Sequence, residues 1–374
     1  MLSEYYFDNA ATTIIGESAL RTYNETCLEY MGNPSANHRE GQKAHRRLEE
    51  CREAFASRLG VKSSQIFFTS GATESISIVL SSLLWAKSPG HIIMSQIEHE
   101  AVLSWIGLLK EKGWKITTLR AKGGFVDPAE LEESITEATR LVAVMMVNNV
   151  TGSIQDIGSM VKIVRKKESE FGRKIFFFSD CVQALGKLPF SLRELDVDGA
   201  SFSSHKIAGP RGIGALYLKR GDIQSLARAG GQEKGVRGGT ENLPAIASFT
   251  RALLDCPETS SDVEMIYEHT RRKFEENGIK VLSPDHDRSP YVLSITTELP
   301  SEVLTRMLID EGWCVSSGSA CSNNAKGKGE GVLQAMGFSA RDSKGAIRIS
   351  FFHYSRLDRA LELADAIIRK VREF

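Results

Sequence analysis

The chain has no excess of either charge: 47 Lys and Arg stand against 47 Asp and Glu. Without a surplus there is no electrostatic footprint for nucleic acid or for an anionic membrane surface. Long apolar runs are missing too, and none approaches the ~20 residues of a membrane span. Met1 to Asp8 has no basic stretch followed by an apolar run, so no signal peptide is expected. Cysteine is sparse. Cys27, Cys51, Cys181, Cys256, Cys314 and Cys321 are scattered without metal-ligand spacing. Free thiols in a reducing, cytoplasmic setting are expected, most of them acting as small buried hydrophobes. No internal repeat is present. What remains is an ordinary globular composition, 41% hydrophobic over 374 residues, enough for a sizeable core and more than one domain.

Helical and strand patterns alternate through the first two thirds. Ala44, Leu48, Cys51, Phe55 and Leu59 recur at helical spacing, and Gly60 supplies a stop. Short apolar runs follow at Gln65–Thr69, Ile92–Ser95, Val142–Val147, Ile175–Ser179 and Gly214–Leu218, separated by helix-like sequence. This is the rhythm of a mostly parallel α/β sheet covered by helices on both faces. After about residue 250 the texture changes. Helical Val263–Asn277, strand-like Tyr291–Thr296, a strand at Ala346–Phe351 and a final amphipathic helix predict a smaller α+β domain. The expected division is a large domain at 14–252 and a small one made of 1–13 and 253–374. Ser316–Gly331, rich in Gly, Ser, Asn and Lys, is expected to be a mobile loop.

Five segments carry chemistry. Ile66 to Ser75 reads as a strand, a tight turn and a helix start. Its small residues and exposed amides suit a phosphate, although for this segment alone Ser70 or Thr73 serving as an ordinary helix cap is the favoured explanation, since cap signals are common. Phe176 to Gln183 puts Asp180 at the end of a very apolar strand, where an ionised carboxylate needs a cationic partner. A protonated pyridine nitrogen is such a partner, as in pyridoxal 5′-phosphate (PLP), with Gln183 placed to bond the phenolic oxygen. The alternative is a capping Asp. Ser201 to Lys206 places a lysine after a strand of small residues. Partial desolvation there would make its amine nucleophilic, whereas most single lysines are solvated surface residues. His99 follows another strand and is either a proton carrier or a polar loop residue. Cys321 sits in the hydroxyl-rich loop near Lys326 and Lys328, as a nucleophile or an incidental thiol.

In order along the chain, Phe7-Asp8-Asn9-Ala10-Ala11-Thr12-Thr13, Gly32-Asn33-Pro34-Ser35, Thr69-Ser70-Gly71-Ala72-Thr73-Glu74, Glu98-His99 and Asn148-Asn149 are followed by Asp180 to Gln183, Ser203 to Lys206, Gly238-Gly239-Thr240-Glu241-Asn242, Ser317-Gly318-Ser319-Ala320-Cys321 and Ile347-Arg348-Ile349-Ser350. This series resembles the NifS-like cysteine desulfurases of the class V aminotransferase group. The resemblance implies a PLP-dependent fold-type I enzyme with a mostly parallel seven-stranded sheet. It implies that Lys206 holds PLP as a Schiff base, that Asp180 binds the pyridine nitrogen, that Gln183 binds the phenolic oxygen and that His99 stacks on the ring. Ala72, Thr73, Ser203 and His205 would bind the phosphate, joined by Thr240 from the neighbouring subunit of a homodimer. Asn149 and Arg348, with Asn33 beside them, would bind the substrate carboxylate. Sulfur would pass from L-cysteine to Cys321 as a persulfide, leaving L-alanine, and then to a protein acceptor serving iron–sulfur assembly or tRNA thiolation. The same fold also carries selenocysteine lyases, other class V aminotransferases and weakly active relay partners. The sequence departs from the family pattern at Val150, at Gly238, after Cys321 and at Phe351 to Tyr354.

Overall fold

The computed structural model describes residues 2–221, 223–226, 230–318 and 331–373. The loop around Cys321 lies outside the described residues, and so does the expectation that it is mobile. Seven strands form the large sheet: β1 (Ile66–Thr69), β2 (His91–Ser95), β3 (Lys115–Leu119), β4 (Thr139–Ala143), β5 (Phe176–Asp180), β6 (Gly199–Ser203) and β7 (Gly214–Leu218). Their order is β1-β7-β6-β5-β4-β2-β3, and only β7 runs antiparallel to its neighbours. The central strands are buried along their whole length because helices cover both faces, which is why they read as continuous apolar runs rather than alternating ones.

On one face the helix Arg39–Arg58 buries Ala44, Leu48, Cys51 and Phe55. The His38 ring accepts from the Gly41 amide at its start, and Gly60 ends the turn at φ +71°. Phe55 packs against Phe68, Phe202 and Phe249, tying two strands and a second helix to this one. On the opposite face Phe67, Ile76, Leu80, Met94 and Leu216 form a separate apolar cluster.

Two strand readings differ from the structure. Lys115–Leu119 is a strand that the apolar runs do not reveal, because it lies at the sheet edge and mixes exposed with half-buried residues without alternation. The run at Val142–Val147 is displaced: β4 begins at Thr139 and its ladder ends at Ala143. The chain stays bonded to β5 through the Val144 and Met146 amides, but β2 has already ended at Ser95.

The smaller sheet comprises β8 (Lys280–Val281), β9 (Val292–Thr296), β10 (Ser316–Ser317) and β11 (Ala346–Ser350), all antiparallel, in the order β10-β11-β9-β8. The N-terminal segment bridges to this sheet at Tyr6–Cys314 and Asp8–Ser350. Among the described residues no helix is long and apolar enough to cross a membrane.

The outer edge of β1 is closed by a buried ion pair. Arg52 forms a two-pronged bond to Glu233 at 2.7 and 2.9 Å, and it also donates to the Ile66 carbonyl. Glu233 accepts from the Phe68 amide at 2.8 Å. Edge-strand groups that would otherwise lie open are thereby satisfied. Truncating Glu233 takes the carboxylate partner of both terminal guanidinium nitrogens from the buried Arg52 and leaves it only the half-exposed Glu49 carboxylate at 3.0 Å. Glu233→Ala is therefore expected to lower stability by about 3–5 kcal/mol, while the paired replacement Arg52→Met with Glu233→Leu recovers most of that loss. Denaturant unfolding of the cofactor-free protein reads both.

Candidate active site

In a parallel sheet the carboxyl ends of the strands open onto one edge, and connecting loops build a crevice there. Here β1, β2, β4, β5 and β6 all end at that edge. Together with Ala10 to Thr12 and with Ser316 and Arg348 from the small sheet, they line a cavity of about 690 Å³. Ten of the residues singled out from sequence meet there: Ala72, Thr73, His99, Asn149, Asp180, Gln183, Ser203, His205, Lys206 and Arg348.

Asp180 is the last residue of β5 and is 6% exposed. Its Oδ1 accepts from the Val182 amide at 3.0 Å and from Ser201 Oγ at 3.2 Å. Burial pushes its pKa up, opposed by the Val182 amide, by the charges of His99 and Lys206 and by the Ser201 hydroxyl. A carboxylate in such a place is poised to hold a cationic ring nitrogen.

Lys206 follows β6 within one turn, and its Nζ donates to the carbonyls of Ala10 and Ala11 at 2.7 and 2.6 Å. Gln183 Nε2 donates to the same Ala10 carbonyl at 3.0 Å. His99 Nδ1 accepts from the Ala101 amide at 3.1 Å. His205 lies 3.1 Å from Thr12 Oγ1. Burial, with the nearby charges of Lys206, Arg211 and Lys187, pushes its pKa down to about 4, so its ring is neutral at neutral pH.

The turn after β1 settles the cap question. The N-cap of helix Ala72–Ser82 is Gly71, with no side-chain cap, so neither Ser70 nor Thr73 fills that role. The first-turn amides of Ala72 and Thr73 are thus left for an anion. Glu74 reaches back to the Ser70 amide and also pairs with Arg237 at 3.3 Å. A Cβ on Gly214, at the start of β7, would lie 2.6 Å from Gly71 Cα, so only glycine lets the two turns close on each other.

Arg348, on β11 and 6% exposed, donates through Nη2 to Asp8 Oδ1 at 2.8 Å and to Ser316 Oγ at 3.1 Å, and through Nη1 to the Asn149 carbonyl at 3.0 Å. Its buried Nε has no hydrogen-bond partner among the described residues. A guanidinium so fixed, with a donor to spare, suits a carboxylate.

The buried Asp180, the Lys206 amine, the uncapped helix start and the neutral His205 fit PLP at its ring nitrogen, its aldehyde and its phosphate. Two expected residues are not brought to this cavity: Asn33 is exposed and accepts from the Ser35 amide, and Thr240 is exposed outside the cavity. Cys321 lies outside the described residues. Val150, one of the departures, is buried in the core and so fills an apolar position.

Sequence reasoning passed over Asp8, Glu98, Lys187 and Ser316 as site residues. Asp8 and Ser316 meet at Arg348, a junction that no local spacing reveals. Gln183 and Lys187 do carry a signal, since they are four residues apart on one helical turn. Glu98 is 2% exposed and accepts from Ser95 Oγ at 2.5 Å and from the Met145 amide at 2.7 Å. Burial, reinforced by the Asp180 charge, pushes its pKa up to about 8.

The chain matches the class-V aminotransferase family over residues 5–360. A NifS/IcsS protein homolog from Lactobacillus delbrueckii subsp. bulgaricus is 39% identical over 376 residues, spanning 96% of this chain and 95% of that one. The cysteine desulfurase IscS of Dictyoglomus turgidum is 34% identical over 386 residues, spanning 100% and 96%. Among solved structures, a NifS-like protein superposes with a TM-score of 0.91 at 35% identity over 99% of both chains. SspA in complex with cysteine superposes with a TM-score of 0.80 at 30% identity, over 94% of this chain and 100% of that one.

Glu98 gives the site a pH signature. Its folded pKa lies above the unfolded value, so the protonated acid stabilises the fold at low pH, and that contribution is lost as pH rises through about 8. Glu98→Gln is expected to flatten the fall in melting temperature between pH 5 and about pH 9. Parallel slopes for the wild type and the variant would contradict this.

Proposed function

The chain belongs to the class V aminotransferase family, and we propose, from that premise, that it is a PLP-dependent cysteine desulfurase. The observation that carries this reading is the convergence of Lys206, Asp180, His99 and Arg348 on one cavity. When bound, PLP supplies an electron sink for the negative charge left at the substrate α-carbon. Asp180 holds the ring nitrogen protonated. Gln183 donates to the phenolic oxygen, and the amides of Ala72 and Thr73, with Ser203 and His205, hold the phosphate. Arg348, braced by Asp8 and the Asn149 carbonyl, grips the substrate carboxylate and so fixes which bond at the α-carbon faces Lys206. The Lys206 Nζ takes the α-proton, and His99 moves a proton near the ring.

The Cys321 thiolate then bonds to the sulfur of L-cysteine as the carbon–sulfur bond breaks. The products are a persulfide on Cys321 and, after protonation of the carbon, L-alanine. One sulfur atom thus passes from L-cysteine to Cys321, and the carbon that keeps the electron pair of the broken bond takes a proton, so no external oxidant is needed. The persulfide passes to a protein acceptor in the cytoplasm, for iron–sulfur assembly or tRNA thiolation. The chain works as a homodimer in which Thr240 of one subunit reaches the phosphate of the other. Residues 14–252 form the large domain, and residues 1–13 with 253–374 form the small domain that carries the Cys321 loop.

Cys321→Ala is expected to keep the absorbance of bound PLP and to lose sulfide release from L-cysteine. Unchanged sulfide production would contradict the desulfurase reading and point to a lyase on the same fold. Arg348→Met is expected to raise KM for L-cysteine at least tenfold, as the loss of about 1.5–3 kcal/mol from a charged hydrogen bond implies, with PLP affinity unaltered. Steady-state kinetics with a PLP titration check both parts.

A further inference from the structure

Lys187 is 5% exposed, and among the described residues no carboxylate pairs with it. It sits on the helical turn that leaves Asp180, where the Leu185 amide bonds to the Cys181 carbonyl and the Leu188 amide to that of Ala184. Its Nζ donates to Gln183 Oε1 at 2.7 Å. The Tyr291 ring centroid lies 5.9 Å from Nζ, and the Cys256 thiol and the His353 ring are near enough to feel its charge.

A glutamine amide has a donor end and an acceptor end of nearly the same shape, and its surroundings must choose between them. In this cavity the choice has consequences. With Oε1 held by Lys187, Nε2 turns to the Ala10 carbonyl and uses one N–H there. One N–H remains, and Gln183 lines the cavity. Without Lys187, Oε1 would be buried with no donor and the amide would turn to find one.

We infer that Lys187 is a positioning residue for the cofactor: it fixes the Gln183 amide so that its spare N–H faces the phenolic oxygen of PLP. This rests on the assignment of Gln183 to that oxygen. The role needs only an N–H donor. Burial, with the charge of Lys206, pushes the Lys187 pKa down to about 7, and the neutral amine still donates.

The test is a double-mutant cycle with Gln183→Ala, Lys187→Met and the double variant. It reads the affinity of the cofactor-free protein for PLP and the absorption maximum of the loaded protein. Lys187→Met is expected to weaken PLP binding about fivefold to tenfold and to move the maximum in the same direction as Gln183→Ala. In the Gln183→Ala background, Lys187→Met is expected to add no further change. Additive effects, or a lower melting temperature with the wild-type maximum, would overturn the positioning role. No effect of Gln183→Ala on either readout would instead overturn the assignment of Gln183. Should Lys187→Met not fold, Lys187→Ala takes its place in the cycle.

Discussion

The site depends on one expensive placement: the Asp180 carboxylate at the buried end of a central strand. Burial pushes its pKa up. The Val182 amide and the Ser201 hydroxyl hold it towards the charged form, and the charges of His99 and Lys206 act in the same direction. A cationic ring nitrogen would complete that balance, which is the physical ground for proposing that Asp180 holds PLP there. The position of Asp180 follows from the sheet, because the five strands that end at the cavity edge bring their following turns to one place.

A second constraint is backbone proximity. The antiparallel β7 starts beside the turns after β1 and β6, and the lack of a side chain at Gly214 lets it lie against Gly71. The helix start at Ala72 and the Ser203-to-Lys206 turn thereby face the same cavity. The N-terminal segment closes a third side. It is bonded to β11 through Asn9 and Ala10, and it offers the carbonyls of Ala10 and Ala11 to Lys206. The small sheet contributes Arg348, so residues from both ends of the chain complete the site.

Much of this was legible in the sequence. The apolar strands could be read because both of their faces are covered, and Asp180, His99 and Lys206 could be read because each follows such a strand. Lys115–Leu119 could not, since an edge strand with half-exposed residues has neither a continuous apolar run nor a clean alternation. The residues that brace the site were hidden for another reason. Asp8 and Ser316 meet Arg348 only through long-range folding, and Glu98 matters because of what surrounds it rather than where it lies in the chain. Lys187, four residues after Gln183, was within reach of a spacing argument. Asn33 and Thr240, taken from the resemblance, stand away from the cavity of a single chain.

The account makes sulfur transfer to Cys321 its central claim, and one single-turnover measurement tests it directly. The PLP-loaded protein is mixed with L-cysteine in the absence of reductant, alanine is counted, and the peptide containing Cys321 is weighed by mass spectrometry. The account predicts one alanine per bound PLP and one added sulfur atom on Cys321. Alanine formed with Cys321 unmodified, or no alanine at all, would contradict it.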